Sequence, residues 1–394
     1  MRRALALARR AEGWTSPNPM VGAVLVKDGQ VVGEGYHRRA GAPHAEVEAI
    51  RAAGPNAAGA TLYVTLEPCN HHGRTPPCTE AILAAGIREV HVAVPDPNPE
   101  VAGGGGRWLA DHGIRVVWGE EAAAALALNR PFFCWARLGR PYVILKAATS
   151  LDGKVATSSG QSKYLTQRRA LAAAHAWRRK VDAIAVGSGT VLADDPALTY
   201  RGRTPGRDPV RVVLDGRGRI PPTAALFSTS SAAPALVYTT DQASREWERA
   251  VFVAGGEVVR VQADAAGHPR LDEVLSDLAH RHVLSLLVEG GPTVHAALIR
   301  AGFADRWLSF LAPLVLGDPA PGAVGPPGWT DIRGAPRLEV RRVQRLDPDI
   351  LIEADFRDSP VVGWEREAEE LASHASSQSA PRVPSPSSSG PADK

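Results

Sequence analysis

Two successive series of short β-branched runs, each interrupted by Ala-rich stretches, restrict the chain to layered α/β architectures. In the first series, VGAVLV from Val21, TLYVTL from Thr61 and VHVAV from Val90 are bounded by Gly, Pro or Asp, the punctuation of short buried strands. A second series begins after Arg140 with YVILKA and continues through AIAVG, VRVVLD, ALVYTT and LSLLVEGG. At 394 residues the chain is long for a single core, since domains settle near roughly 100–200 residues, so each series predicts a domain of its own. The expected division is residues 1–140 and residues 141–357. From residue 358 the sequence turns acidic and then Ser/Pro-rich, ending SSQSAPRVPSPSSSGPADK. That composition is too poor in apolar residues to offset the entropy of ordering, and 358–394 reads as a disordered tail.

The opening MRRALALARRAEGW is broken by Arg9 and Arg10 before a signal-peptide core develops, and reads as an amphipathic helix. No run reaches the roughly 20 apolar residues that a membrane span requires. Lys and Arg total 45 against 42 Asp and Glu, a formal charge of +3, which gives no broad footprint for nucleic acid or a membrane surface. A small-molecule partner is the expectation. Three cysteines cannot build a disulfide framework in a chain of this length; they point to a reducing, cytoplasmic compartment and to metal or catalytic use.

One cluster of residue types carries chemistry. Pro43, His44, Ala45 and Glu46 open a helical stretch, and about twenty residues later Glu67, Pro68 and Cys69 lead through NHHGRTPP to Cys78. One imidazole and two thiolates suit a borderline-soft tetrahedral ion such as zinc, and three protein ligands leave a fourth position for water. Zinc lowers the pKa of such a water to about 7, and a neighbouring carboxylate can then shuttle protons. H-x-E followed by P-C is the signature of zinc nucleobase deaminases, whose glutamate is acid and base rather than ligand. The match is partial, because eight residues separate Cys69 from Cys78 where two are usual. The longer loop, with His71, His72 and Arg74, would bulge beside the metal. Other readings stand beside this one: a buried apolar Cys pair, or a closed structural site with His71 or His72 as the fourth ligand. Helical spacing places Glu48, not Glu46, one turn from His44, so only the motif favours Glu46 as the shuttle.

These residues, taken in order, resemble one family. TSPNPMVGAVLV, GEGYHRRAGAPHAEVEA, TLEPCNHHGRTPPC and DPNPEVAGGG are similar to the deaminase half of the bifunctional riboflavin biosynthesis deaminase-reductases. LKAATSLDGKVAT, AIAVGSGTVLADDPALTYR, PVRVVLD and LLVEGGPTVHAALI continue the likeness, which runs to about Arg357. The resemblance implies a cytidine deaminase-like three-layer αβα domain followed by a dihydrofolate reductase-like α/β domain. It implies hydrolytic deamination of 2,5-diamino-6-(5-phosphoribosylamino)pyrimidin-4(3H)-one, then NADPH-dependent reduction of the product's ribosyl group to ribityl. Carried over by position, His44, Cys69 and Cys78 become zinc ligands and Glu46 the proton shuttle. Asn18, His37, His71, Arg74, Asp96 and Asn98 fall where the family lines its pyrimidine and phosphate pocket. A homo-oligomer is a family-level expectation. The run Gly103–Gly106 departs from the usual pattern and reads as a turn, with a phosphate cradle as the alternative.

The second half has no G-x-G-x-x-G after a strand, so a Rossmann dinucleotide site is not supported. LSLLVEGGPTVHAALI instead puts Gly290 and Gly291 between a strand and a helix starting at Pro292, where a helix N-terminus favours phosphate, although a plain turn reads the same way. AIAVGSGTVLADDP likewise places Gly187, Gly189 and Thr190 after a strand, with Asp194 downstream. By resemblance these turns hold NADPH, with Ala148, Tyr164, Thr190, Asp194, Gly291, Pro292 and Thr293 at cofactor positions; Tyr164 stands where many relatives have Trp. Ser162, Arg178, Leu198, Arg201 and Glu289 match the substrate positions. An Arg fork suits phosphate, and a surface ion pair is the plain alternative. Lys146, Asp194 and Glu289 are the candidates for proton transfer, without assigned roles. A nucleoside or tRNA-editing zinc deaminase with an accessory domain would share H-x-E and P-C, but predicts PCxxC spacing and a basic, aromatic-rich face, neither of which is evident. A non-catalytic zinc-stabilised module is the third reading.

Overall fold

The computed structural model describes residues 1–72, 76–98, 104–163 and 165–374. They form two compact units, one of Met1–Asn129 with the segment from Trp364, the other of Arg130–Gly363.

In the first unit the chain runs α1 (Arg2–Ala8), β1 (Gly22–Lys27), β2 (Gln30–Tyr36), α2 (Ala45–Ala53), β3 (Thr61–Val64), α3 (Cys78–Ala84), β4 (Glu89–Val92), α4 (Gly105–Asp111), β5 (Arg115–Trp118) and α5 (Ala122–Leu128). Asp28 and Gly29, both at positive φ, make the two-residue turn that pairs Lys27 with Gln30. The sheet order is β2-β1-β3-β4-β5, antiparallel up to β3 and parallel from there. Alternate residues of β1 face opposite ways, as the two-residue period of a strand requires. Ala23 and Leu25 join Leu62, Val64, Val90 and Val92 under α2, α3 and α4, while Val24 meets Ala4 and Leu7 of α1. The result is the three-layer αβα arrangement expected.

The second unit runs α6 (Arg130–Leu138), β6 (Tyr142–Ser150), α7 (Arg168–Lys180), β7 (Ala183–Gly187), α8 (Ser188–Asp194), β8 (Val210–Leu214), β9 (Ala235–Thr239), α9 (Arg245–Val253), β10 (Glu257–Arg260), α10 (Leu271–His280), β11 (Ser285–Val288), α11 (Pro292–Arg300), β12 (Arg306–Ala312), β13 (Leu338–Leu346) and β14 (Asp349–Phe356). Its sheet has the order β10-β9-β8-β7-β11-β6-β12-β14-β13. All neighbours are parallel through β12; β14 and β13 are antiparallel. β7 is buried on both faces, Ala183 and Ala185 in one apolar cluster and Ile184 and Val186 in another, as a parallel sheet covered on both sides demands.

Two boundaries differ from those read in the sequence. The second unit starts at Arg130, eleven residues before 141, because α6 is anchored in it. Phe132, Phe133 and Cys134 are buried, Arg130 Nη1 donates to Asp355 at 2.9 Å, and Trp135 Nε1 donates to the Ala279 carbonyl at 3.0 Å. Residues 358–374 are not a featureless tail: helix α12 (Pro360–His374) follows β14, with Val361, Val362, Trp364 and Ala368 buried. These apolar residues stand at the start of a segment whose average composition is polar. Residues 375–394 lie outside the described residues.

Candidate functional site

His44 is the N-cap of α2, Cys78 is the first residue of α3, and Cys69 lies in the loop that leaves β3. They meet beyond the carboxyl ends of β3 and β4, where open α/β sheets gather their ligands. His44 Nδ1 lies 3.2 Å from Cys78 Sγ and 3.5 Å from Cys69 Sγ. Tetrahedral zinc, with nitrogen at about 2.0–2.1 Å and sulfur at about 2.3 Å, would set an N···S edge of about 3.6 Å. Donor chemistry, number and spacing therefore fit zinc, with one coordination position left for a non-protein ligand. No other such group of His, Cys, Asp or Glu occurs among the described residues, and exposed His71 and His72 do not join it. The Cys78 thiol, donating to Cys69, pulls the Cys69 thiol down to about 4 against the opposing effect of burial, with His44 adding to the pull.

Glu46 and Glu48 are separated by their surroundings. Glu46 is buried, and burial, reinforced by the neighbouring Cys69, raises its carboxyl to about 7. Glu48 is turned to Arg51, 2.7 Å away. Behind His44, the ring of His37 stands edge-on at 5.4 Å. A carbonyl only accepts, so His37 Nδ1–H donates to the Pro43 carbonyl at 3.1 Å, which leaves Nε2 to accept from Asn18 Nδ2 at 3.0 Å. Asp96 is buried and for that reason raised to about 7, with Glu67 and Cys69 adding to the effect. Its carboxylate accepts from Asn98 N at 2.9 Å.

The glycine run is not the turn expected: in its described part Gly104 is the N-cap of α4, and Gly105 and Gly106 begin the helix. A Cβ on Gly105 would overlap the Pro68 carbonyl oxygen, and one on Gly106 would overlap the Trp118 ring. Gly106 N donates to Glu67 Oε1 at 3.0 Å. The glycines let α4 approach the Glu67–Cys69 segment closely, which supports a positioning role and not a phosphate cradle. Arg74 lies outside the described residues, and Cys134 is buried in the second unit, apart from the donor group.

The second unit holds a cavity of about 1140 Å³ at the carboxyl ends of β6, β7, β8 and β11. That exceeds the roughly 300–1,000 Å³ usual for one small ligand. Lys146, Ala148, Ser162, Arg178, Thr190, Asp194, Leu198, Arg201 and Glu289 line it, together with Gly291, Pro292 and Thr293. The two glycine-bearing turns meet there, Gly187 N donating to the Gly290 carbonyl at 3.1 Å. The Thr190 hydroxyl stands about a van der Waals contact from where a Cβ on either Gly290 or Gly291 would lie, 3.5 Å.

Several of the charged groups of this cavity are paired with one another. Arg178 Nε and Nη2 donate to the two oxygens of Glu289, both at 2.8 Å, and Nη1 donates to the Thr199 carbonyl at 2.9 Å. Lys146 Nζ lies 4.0 Å from Glu289 Oε2. Burial alone would raise the Glu289 carboxyl, but Lys146 and Arg178 hold it down at about 2. Ser162 Oγ donates to Asp194 at 3.1 Å. Leu198 is 1% exposed and belongs to the apolar cluster of Ile184, Val186 and Val213. Arg201 is exposed, and Tyr164 lies outside the described residues.

Residues 1–94 match the cytidine and deoxycytidylate deaminase zinc-binding region, and residues 141–352 match the RibD C-terminal domain. The riboflavin biosynthesis protein RibD of Bacillus amyloliquefaciens is 43% identical over 359 residues, 91% of this chain and 96% of that protein. That of Escherichia coli K12 is 41% identical over 364 residues, 89% and 97%. The chain belongs to the RibD family. Among solved structures, RibD of Acinetobacter baumannii superposes with a TM-score of 0.81 at 38% identity, covering 90% of this chain and 97% of that one. A Thermotoga maritima diaminohydroxyphosphoribosylaminopyrimidine deaminase/5-amino-6-(5-phosphoribosylamino)uracil reductase gives 0.78 at 36%, with the same coverage.

As a RibD, the chain is a bifunctional deaminase and reductase of riboflavin biosynthesis, with a zinc-binding deaminase domain followed by a reductase domain. No helix among the described residues is long and apolar enough to cross a membrane. Two roles escape sequence reasoning. Glu67, read there only as a neighbour of Cys69, holds Asp96 N and Gly106 N in place, and His175 lines the reductase cavity. His175 left a signal, its spacing of three residues before Arg178 on one helix face.

Proposed function

We propose that the first unit hydrolyses the exocyclic amine of 2,5-diamino-6-(5-phosphoribosylamino)pyrimidin-4(3H)-one, and that the second reduces the ribosylamino group of the resulting uracil with NADPH. The observation that carries the first step is a buried carboxyl, Glu46, two residues from His44 in a donor group spaced for zinc. Zinc held by His44, Cys69 and Cys78 would supply a water of lowered pKa. Glu46 would accept the proton of the attacking water and return it to the leaving amine, so that one water is consumed and one ammonia released. His37, held by the Pro43 carbonyl, fixes the Asn18 amide, whose remaining N–H and oxygen face the pyrimidine, and His71, Arg74, Asp96 and Asn98 complete the pocket.

In the second unit the glycine turns at Gly187 and Gly290 seat the cofactor, with Ala148, Tyr164, Thr190, Asp194, Gly291, Pro292 and Thr293 around it. NADPH held there would supply one hydride for reduction of the sugar C1, and one proton, held or passed by the polar side chains of the cavity, would complete the balance. The Arg178–Glu289–Lys146 chain keeps Glu289 ionised and fixes the Lys146 ammonium on the cavity wall. Ser162, Leu198 and Arg201 face the sugar phosphate. Cytoplasmic action is consistent with the cysteine usage, and a homo-oligomer, the family-level expectation, is measured by sedimentation.

Each half-reaction has its own assay. Zinc-replete protein without NADPH should release ammonia from the diaminopyrimidine, and with NADPH it should reduce separately supplied 5-amino-6-(5-phosphoribosylamino)uracil. Ammonia release from cytidine in place of the ribosylaminopyrimidine would overturn the substrate assignment.

A further inference from the structure

His112 and His280, at the ends of α4 and α10, each bond Nδ1 to the carbonyl four residues back, Trp108 at 2.8 Å and Ser276 at 2.7 Å. His175, in the body of α7, does not: its Nδ1 is buried and has no hydrogen-bond partner among the described residues. Buried polar atoms are nearly always satisfied, so an orphan needs a reason. This one belongs to a residue on the wall of the reductase cavity, where α7 presents Leu171, His175 and Arg178 at spacings of four and three, along one helix face.

The charges around His175 are Arg178, Arg201, Lys146 and Glu289. Arg178 commits its fork to Glu289 and its remaining nitrogen to the Thr199 carbonyl. Its Nε–Nη2 edge is thereby closed to a phosphate, although its residue type suggests one. Burial first, and then the adjacent cations, lower the pKa of His175 and keep the ring neutral, with one donor and one acceptor nitrogen. A neutral imidazole beside cations suits an oxygen-rich, anionic ligand, to which it offers a single N–H.

We propose that His175 is a substrate-binding residue of the reductase, its imidazole hydrogen-bonding the ribosyl phosphate of the substrate, while Arg178 acts from behind by clamping Glu289. This rests on the reading of the cavity as the site of ribosylamine reduction.

The test uses the full-length holoenzyme with His175→Leu, His175→Asn and His175→Gln, the amides retaining a donor near Nδ1 or Nε2. His175→Leu should raise KM for the aminouracil ribosyl phosphate about tenfold, the loss of roughly one hydrogen bond, with kcat and the KM for NADPH within about twofold. One of the two amide variants should recover most of that loss. Calorimetry with ribose 5-phosphate, in the presence of NADP+, reads binding without turnover and should show the same ranking. Unchanged KM and unchanged ribose 5-phosphate affinity in His175→Leu, with wild-type turnover intact, would overturn the role of His175 alone and mark its orphan nitrogen as a tolerated or water-filled site. Wild-type protein that neither reduces the substrate nor binds ribose 5-phosphate would remove both this role and the reading of the cavity.

Discussion

The two units place their sites at the same address, the carboxyl ends of parallel strands, yet prepare them in opposite ways. In the deaminase unit His44, Cys69 and Cys78 point at one another at nearly the spacing zinc would impose, and Glu46 is buried beside them without a cation. In the reductase unit the charged groups satisfy each other: Arg178 closes on Glu289, and Lys146 stands at 4.0 Å from the same carboxylate. A buried pair of that kind is a scaffold, and its value lies in what it holds in place. The first site should therefore fail through loss of its ligand, the second through loss of its internal pairing.

The largest effect expected is for Cys78→Ala, which should abolish zinc retention and ammonia release while NADPH binding persists, measured by metal analysis and by fluorescence titration. Loss of NADPH binding in the folded variant would break the separation of the two sites. Glu46→Gln should keep zinc but slow deamination by about 10²–10⁴-fold, the usual worth of a positioned acid–base group. Comparable slowing by Glu48→Gln would reassign the shuttle.

Glu289→Gln sharpens the contrast from the other side, because it leaves Arg178 and Lys146 facing a neutral amide. Removing one partner of a buried pair costs about 3–5 kcal/mol, visible as a lower Tm together with loss of reduction. The wild-type carboxyl sits at about 2 against an ordinary 4.5, so the stability it provides is present above about 4.5 and is lost as pH falls toward 2. Glu289→Gln should flatten that part of the pH–Tm profile. Gly105→Ala should cost less: the new methyl presses on the Pro68 carbonyl beside Cys69, weakening zinc affinity measured by chelator competition with little change in the reductase. Smallest of all, deletion of 375–394 should leave both activities intact, as its composition implies.

The same contrast explains what was legible in the sequence. β6, β7, β8, β9 and β11 are buried along nearly their whole length and read as apolar runs. β13, LEVRRVQRL, is an edge strand exposed along most of its length, and its charges hid it. β2, QVVGEGY, is partly exposed and carries two glycines, so no apolar run marked it. The metal donors were readable because their chemistry is local and rare. The choice of Glu46 over Glu48 rested on the motif alone, and the reason is geometric: His44 is an N-cap with extended ψ of 163°, so helical spacing cannot be counted from it. In the reductase the residue types were found but not their partners. Arg178 suggested a phosphate ligand, and only the fold shows that its fork is taken by Glu289, 111 positions away. The α12 boundary was missed because averaging over 358–394 buried the signal of Val361, Val362 and Trp364.

The most direct test of two sites acting in order is a single time course on purified, zinc-replete protein given the diaminopyrimidine ribosyl phosphate and NADPH, following ammonia and NADPH absorbance together. NADPH oxidation should begin after ammonia appears and be absent in Cys78→Ala unless the deaminated uracil is supplied. NADPH oxidation without ammonia release would contradict that order.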